Sequence, residues 1–136
     1  MMITRIPLAE DVVREFWRLM ATNDFDAVAA VLAPQFVLEW PQSRERIRGA
    51  EQFARMNLEY PALGPWRFTV HRIVGHATAA VSDVTVTDGA QSARAISFFT
   101  IESGMITKLV EFWPEPYAAP ARRAHLVESM ESTSPA

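Results

Sequence analysis

Three residues near the C-terminal end have the types and spacing for proton chemistry: Asp83, Ser97 and Glu111. They lie on three successive stretches, ATAAVSDVTVT, ARAISFFTIE and MITKLVEFWP, each rich in the Val, Ile, Thr and Phe that pleated strands favour. Thr87-Asp88-Gly89-Ala90 and Glu102-Ser103-Gly104-Met105 join them, and Asp-Gly and Ser-Gly are hairpin signals because glycine accepts a positive φ. Symmetric folding of both turns sets Asp83 opposite Ser97 and Ser97 opposite Glu111, a polar row on one face. Val81, Thr85, Ala95, Phe99, Leu109 and Trp113 share that face, and Val84, Val86, Ile96, Phe98, Val110 and Phe112 make an apolar opposite face. A slip of one residue in either hairpin would dissolve the row.

A carboxyl such as Glu111, set among bulky apolar neighbours and beside a second carboxylate, is pushed towards neutrality, which suits a general acid or base. Asp83 is the second carboxylate, and Ser97 would orient a substrate. The competing assignment is structural: Glu111 bound to an arginine or a tryptophan N–H, and Asp83 a polar partner of Thr85, Ser97 or an arginine. On the residues alone, the mixed face could equally be the solvated one and the apolar face the core.

The elements that must position this row precede it. Pro7 suits a first helical position, and Leu8, Val12, Phe16, Leu19 and Met20 mark one stripe of a helix to about Ala21. Asp24 caps a second helix carrying Phe25, Val28, Val31 and Leu32, which Pro34 ends. Phe36 to Trp40 is a short strand, and the loop behind it holds Arg44, Arg46 and Arg48, a solvated cluster that could gate a pocket or hold an anionic group. A third helix runs from Ala50 to Tyr60 with Phe53, Met56 and Tyr60 on one stripe, and Trp66 to Val74 is a strand leading into the meander. Pro120 starts a short final helix to about Met130, and ESTSPA reads as a frayed tail, part of a flexible end from residue 129. Three helices followed by four long strands give an α+β fold, with the helices on one face of a curved, mostly antiparallel sheet. The apolar opposite face needs a cover, and a second copy in a two-fold dimer is the economical one.

A chain of 136 residues is one domain's worth, with a core over about residues 7–128, and 49% apolar with 21% charged residues is ordinary for a globular protein. A net charge of −3 offers no electrostatic case for nucleic acid or an anionic membrane, so neither is expected as a partner. Without cysteine there is no thiolate chemistry or thiolate metal site. His71, His76 and His125 lack metal-ligand spacing, so no metal is expected, and His71 alone is a possible site residue. No phosphate-binding glycine loop or nucleophile elbow occurs, and no cofactor is expected. The opening MMITRIPLAEDVV lacks the apolar core of a signal peptide, and the expectation is a cytoplasmic protein.

The stretches FWRLMATNDFDAVAAVLAPQFVLEWP, IRGAEQF and GMITKLVEFWPEPY, in this order, resemble the nuclear-transport-factor-2-like superfamily and, within it, the SnoaL-like relatives of polyketide cyclases. The resemblance implies a cone-shaped fold whose concave face lines a pocket for a small apolar molecule. It assigns the face of Asp83, Ser97 and Glu111 to that pocket and the apolar face to a dimer. It also implies pocket walls from Phe16, Trp40, Phe53, Met56, Tyr60, Thr85, Phe99 and Trp113. In steroid isomerases of the superfamily, Phe16 matches the position of a tyrosine, Trp40 that of the general-base aspartate and Ser97 that of a protonated aspartate. Phe16 and Trp40 cannot carry protons, so the usual isomerase site is not expected. The epoxide-hydrolase pattern Arg-x-Asp reads Asp83-Val84-Thr85 here, without its arginine. SnoaL-type cyclases are more similar: Glu111 stands where their acid/base aspartate does, and Ser97 stands near their histidine.

Overall fold

The computed structural model describes residues 7–130. Residues 1–6 and the stretch ESTSPA, expected as a frayed tail, lie outside the described residues. The order is helix α1 (Ala9–Ala21), a 3-10 helix (Phe25–Val31), β1 (Leu32–Trp40), β2 (Glu45–Arg48), α2 (Gly49–Glu59), β3 (Arg67–His76), β4 (Ala79–Thr87), β5 (Ser92–Glu102), β6 (Met105–Phe112) and a second 3-10 helix (Ala121–Leu126). The strands form one curved, open sheet in the order β2-β1-β6-β5-β4-β3, with β1 and β6 parallel and every other pair antiparallel. This is the expected α+β architecture: among the described residues three helical elements precede β3, and a fourth, the short one expected after Pro120, follows β6 and ends at Leu126.

Local chemistry explains where the elements differ from the sequence reading. Phe25, Val28 and Val31 are the buried residues of the second helix, and a spacing of three fits the three residues per turn of a 3-10 helix. The strand after it begins at Leu32 and runs through Pro34, because the β1–β6 register shifts between Leu32 and Val37 and a proline is tolerated at such an irregularity. The stretch read as an arginine loop ends in β2, whose Arg46 pairs with Glu39 across the ladder at 2.7 Å.

Helix α1 lies on the concave face and buries Val12, Val13, Phe16, Trp17, Leu19 and Met20. Its first turn crosses β3 at Gly75, where a Cβ would stand 2.9 Å from the backbone nitrogen of Glu10, so only glycine permits this approach. Phe16 is the hub of the packing. Its ring lies 5.3 Å from Phe99 on β5, 5.9 Å from Phe53 on α2 and 4.9 Å from Trp17, which ties both helices to the sheet.

The two hairpins of the meander set which side chains face inward. Between β5 and β6, Ser97 is opposite Glu111 as expected. The Ser103-Gly104 turn, with φ of 53° and 76°, pairs Glu102 with Met105, a register that by itself would place Val110 opposite Ser97. A shift between Thr100 and Ile101 adds one residue to β6 and brings Glu111 into line. Between β4 and β5 the expected register is corrected. The predicted row needs Thr87 opposite Ala93, but Thr87 pairs with Ser92 around a loop of four residues. Asp88 holds that loop closed by accepting hydrogen bonds from the backbone N–H of Ala90 (2.9 Å) and of Gln91 (2.8 Å). One residue of register turns all of β4 over. Ser82, Val84 and Val86 face the helices, while Asp83 and Thr85 face outward; the residue opposite Ser97 is Ser82. The outer face is therefore mixed, with Ile96, Phe98, Val110 and Phe112 apolar as expected, but Val84 and Val86 in the core.

Candidate functional site

Between the helices and the concave face lies an open cavity of about 720 Å³. Glu111 lines it, and only 6% of the residue is exposed. One carboxyl oxygen, Oε2, accepts a hydrogen bond from Ser97 Oγ at 2.7 Å, and the other, Oε1, accepts one from Trp40 Nε1 at 3.1 Å. No ion pair reaches Glu111 among the described residues. Burial pushes its pKa above the ordinary carboxyl value, and the two hydrogen bonds oppose that rise in part. The result is a carboxyl biased to the neutral form whose ionised form still has two donors ready, a combination that can give and recover a proton.

Each group has a local reason for its place. Ser97 is fully buried behind Glu111, paired with it across the ladder, and does not itself line the cavity. Trp40 ends β1 where Pro41 stops the strand, and the parallel pairing of Glu39 with Val110 brings it beside β6. Trp113 follows β6, and its backbone N–H donates to Gln42 Oε1 at 2.5 Å, fixing the chain after both strands at one rim of the cavity. Ser82 extends the polar row. Its Oγ accepts from Trp17 Nε1 at 3.0 Å, so the concave face carries Ser82, Ser97 and Glu111 with a tryptophan N–H at each end.

Of the residues expected at the site, Glu111, Phe16, Trp40, Phe53, Met56, Tyr60 and Trp113 line the cavity, and Ser97 supports it from behind. Phe99 is core beneath Phe16. Asp83, Thr85 and His71 are on the opposite face. Asp83 is bound by Arg94, with Nη2 to Oδ2 at 2.8 Å, and that bond holds its carboxyl below the ordinary range. His71 Nε2 lies 2.6 Å from Thr85 Oγ1. The flip of β4 puts Asp83 and Thr85 across the sheet from Glu111, and His71 on β3 is joined to Thr85 on that same side. Arg44, Arg46 and Arg48 do not line the cavity.

The sequence reading missed several walls. Trp17 is adjacent to Phe16 and falls off the stripe by which α1 was read, yet it packs on Phe68 with centroids 5.5 Å apart. Trp66 is held by Asn23, whose side chain bonds the Trp66 backbone N–H and carbonyl, each at 2.8 Å. Gln42, Ser43, Glu45, Asn57, Gln91, Ser92 and Glu115 give the cavity polar positions. The signal available was aromatic: every one of the four tryptophans lines the cavity. Among the described residues no cluster of three or more His, Cys, Asp or Glu side chains could hold a metal ion, and no helix is long and apolar enough to cross a membrane.

This fold, and a pocket on its concave face, define a class. The SnoaL-like domain family matches residues 13–109, and the chain belongs to that family, within the nuclear-transport-factor-2-like superfamily. Among similar solved structures is a proposed ketosteroid isomerase from Kribbella flavida, 31% identical, with a TM-score of 0.83 over 91% of this chain and 90% of that one. An epoxide hydrolase of the LEH-like type from M. tuberculosis is 24% identical, with a TM-score of 0.64 over 78% of this chain and 82% of that one. A proposed polyketide cyclase from Sinorhizobium meliloti is 20% identical, with a TM-score of 0.63 over 74% and 93%. The last two likenesses concern the fold alone. No curated protein matches the sequence.

Proposed function

We propose that the protein takes a small, mostly apolar oxygenated molecule into the concave cavity and acts on it as a cofactor-independent cyclase, isomerase or hydratase, with Glu111 moving the proton. The observation that carries this reading is the Glu111 carboxyl itself, buried in the wall of an open cavity, without an ion-pair partner among the described residues and raised in pKa. In the neutral form, Glu111 donates its proton to a carbonyl, hydroxyl or epoxide oxygen. The carboxylate left behind is held by Ser97 Oγ and Trp40 Nε1, and it recovers a proton from carbon or water later in the cycle. Ser97 is a positioning residue here, since it touches Glu111 and not the cavity. Asp83 has no part in this scheme, because it lies across the sheet, bound to Arg94.

The test is turnover of a panel of epoxides, enones and hydroxyketones in deuterated water. Wild type should incorporate solvent deuterium into at least one product. Glu111→Gln should lower that rate by about 10²-fold or more, the usual scale for a general acid or base, and keep binding. An unchanged rate would remove Glu111 from the chemistry.

A second reading is favoured by a specific observation: both oxygens of Glu111 are already engaged, and Phe16 and Trp40 stand where a proton carrier would be needed for the isomerase site. A binding module without turnover then fits, and a ligand recovered chemically unchanged would support it. The outer face, where Phe98 is 44% exposed and packs edge-on against Phe112, supports the dimer expected from the sequence. Solution mass tests this, and a stable monomer at micromolar concentration would end the idea.

A further inference from the structure

The walls of the cavity carry charge of one sign. Glu111 sits buried in the wall, and Glu45 and Glu115 are exposed positions of the same lining. Among the described residues no lysine, arginine or histidine lines it. Of the arginines beside it, Arg46 pairs with Glu39, Arg48 belongs with Arg46 to a separate groove beside α2, and Arg44, between the lining residues Ser43 and Glu45, is not itself part of the lining. The apolar part is unusually aromatic, because Trp17, Trp40, Trp66 and Trp113, all the tryptophans of the chain, contribute to one cavity.

We infer that the molecule this cavity takes carries a positive charge, a small tertiary or quaternary organic ammonium held against tryptophan rings and Glu111. The inference rests on the second reading, a binding site without turnover, and names the class of its ligand; a bound cation keeps Glu111 ionised, so this role replaces that of proton donor. Three physical arguments converge on it. A carboxylate in a poorly hydrated wall with no cation beside it is costly, and a ligand cation supplies the missing charge. Tryptophan faces attract an alkylammonium more strongly than any other aromatic ring, and more so when water is excluded. An anionic ligand would meet Glu45, Glu115 and the buried Glu111, and no counter-charge among the described residues, so the lining selects against it. The volume of about 720 Å³ is ample for a small ammonium with an organic substituent.

A proton linkage follows. Glu111 is faced by Trp40 from β1 and by Ser97 from β5, and neither changes charge between mildly acid and mildly basic pH. Glu45, Glu115 and Tyr60 are the other titratable groups of the lining. A bound cation favours ionised Glu111, so affinity for a cation rises with pH as Glu111 loses its proton, and binding releases protons below that point.

The experiment is a calorimetric titration of the full chain with two probes, choline and the neutral analogue in which carbon replaces the ammonium nitrogen. Choline should bind about tenfold tighter or better, the equivalent of the cation–π and charge terms in a desolvated site. Glu111→Gln should lower that ratio, chiefly by weakening choline. In wild type the choline affinity should climb with pH while the neutral probe's does not. Equal affinities, or tighter binding of the neutral probe, overturn the inference and leave the cavity's role as a ligand site intact. Binding of neither probe at millimolar concentration overturns the inference together with that role for ligands of this size.

Discussion

Two carboxylates one sheet apart behave in opposite ways. Glu111, on the concave face, is buried with no cation beside it among the described residues, and its pKa is raised mainly by that burial. Asp83, on the convex face, is bound by Arg94, and its pKa is lowered mainly by that hydrogen bond. Their residue types hardly differ. The difference lies in which side of a strand each occupies, and that is decided by one residue of register at the Asp88 loop. A carboxyl becomes a candidate acid when it lacks a counter-charge and water; with both it is a surface ion pair.

The comparison breaks first if the concave face does not depend on its aromatic hub. Phe16→Ala should destabilise the protein by about 3–5 kcal/mol, the usual cost of removing a buried aromatic ring; denaturant unfolding would measure it. A loss below about 1 kcal/mol would mean that the cavity walls do not lean on Phe16.

Glu111 gives the next effect. Glu111→Ala leaves Ser97 Oγ and Trp40 Nε1 without their acceptor and should cost about 1–3 kcal/mol. The pH dependence sharpens this. The folded pKa is raised above the unfolded one, so the stability associated with the neutral carboxyl is complete below the unfolded pKa. It is lost as pH rises through the folded pKa. Wild type should therefore lose stability relative to Glu111→Gln as pH climbs from acid towards neutral, and the two curves running parallel would contradict the raised pKa.

Trp17→Phe keeps the ring packing on Phe68 but removes the donor to Ser82 Oγ, at a cost of about 1 kcal/mol. Thermal unfolding at fixed pH would register it. Asp83→Asn should matter least. The pair with Arg94 is partly exposed, with side chains 29% and 48% accessible, and solvent screening keeps its worth under about 1 kcal/mol. A larger loss, or any loss of ligand binding, would show that the convex face is coupled to the cavity.

Much of this was legible in the chain. The periodicity of α1, the Pro-bounded strand ending at Trp40, the glycine turns and the strand composition carried the α+β order; the pairing of Ser97 with Glu111 was expected, but the shift between Thr100 and Ile101 that produces it was not legible. The helix after Asp24 was legible as helical but not as a 3-10 turn, and Pro34 was taken as a terminator although an irregular stretch of β1 absorbs it. Asp83 and Thr85 were assigned to the pocket because a turn's sequence marks where a hairpin bends, not how many residues its loop contains.

The sequence by itself determined that a glutamate with apolar neighbours would lie on a strand beside aromatic residues, since composition and alternation are local properties. Only the tertiary structure decided what that glutamate meets. The side chain of Asp88 closed a loop of four residues and so turned β4 over. That exchanged Asp83 for Ser82 in the row beside Glu111 and sent the second carboxylate to solvent, where an arginine was within reach. Register is a non-local quantity, set by hydrogen bonds between segments that the chain order alone does not align.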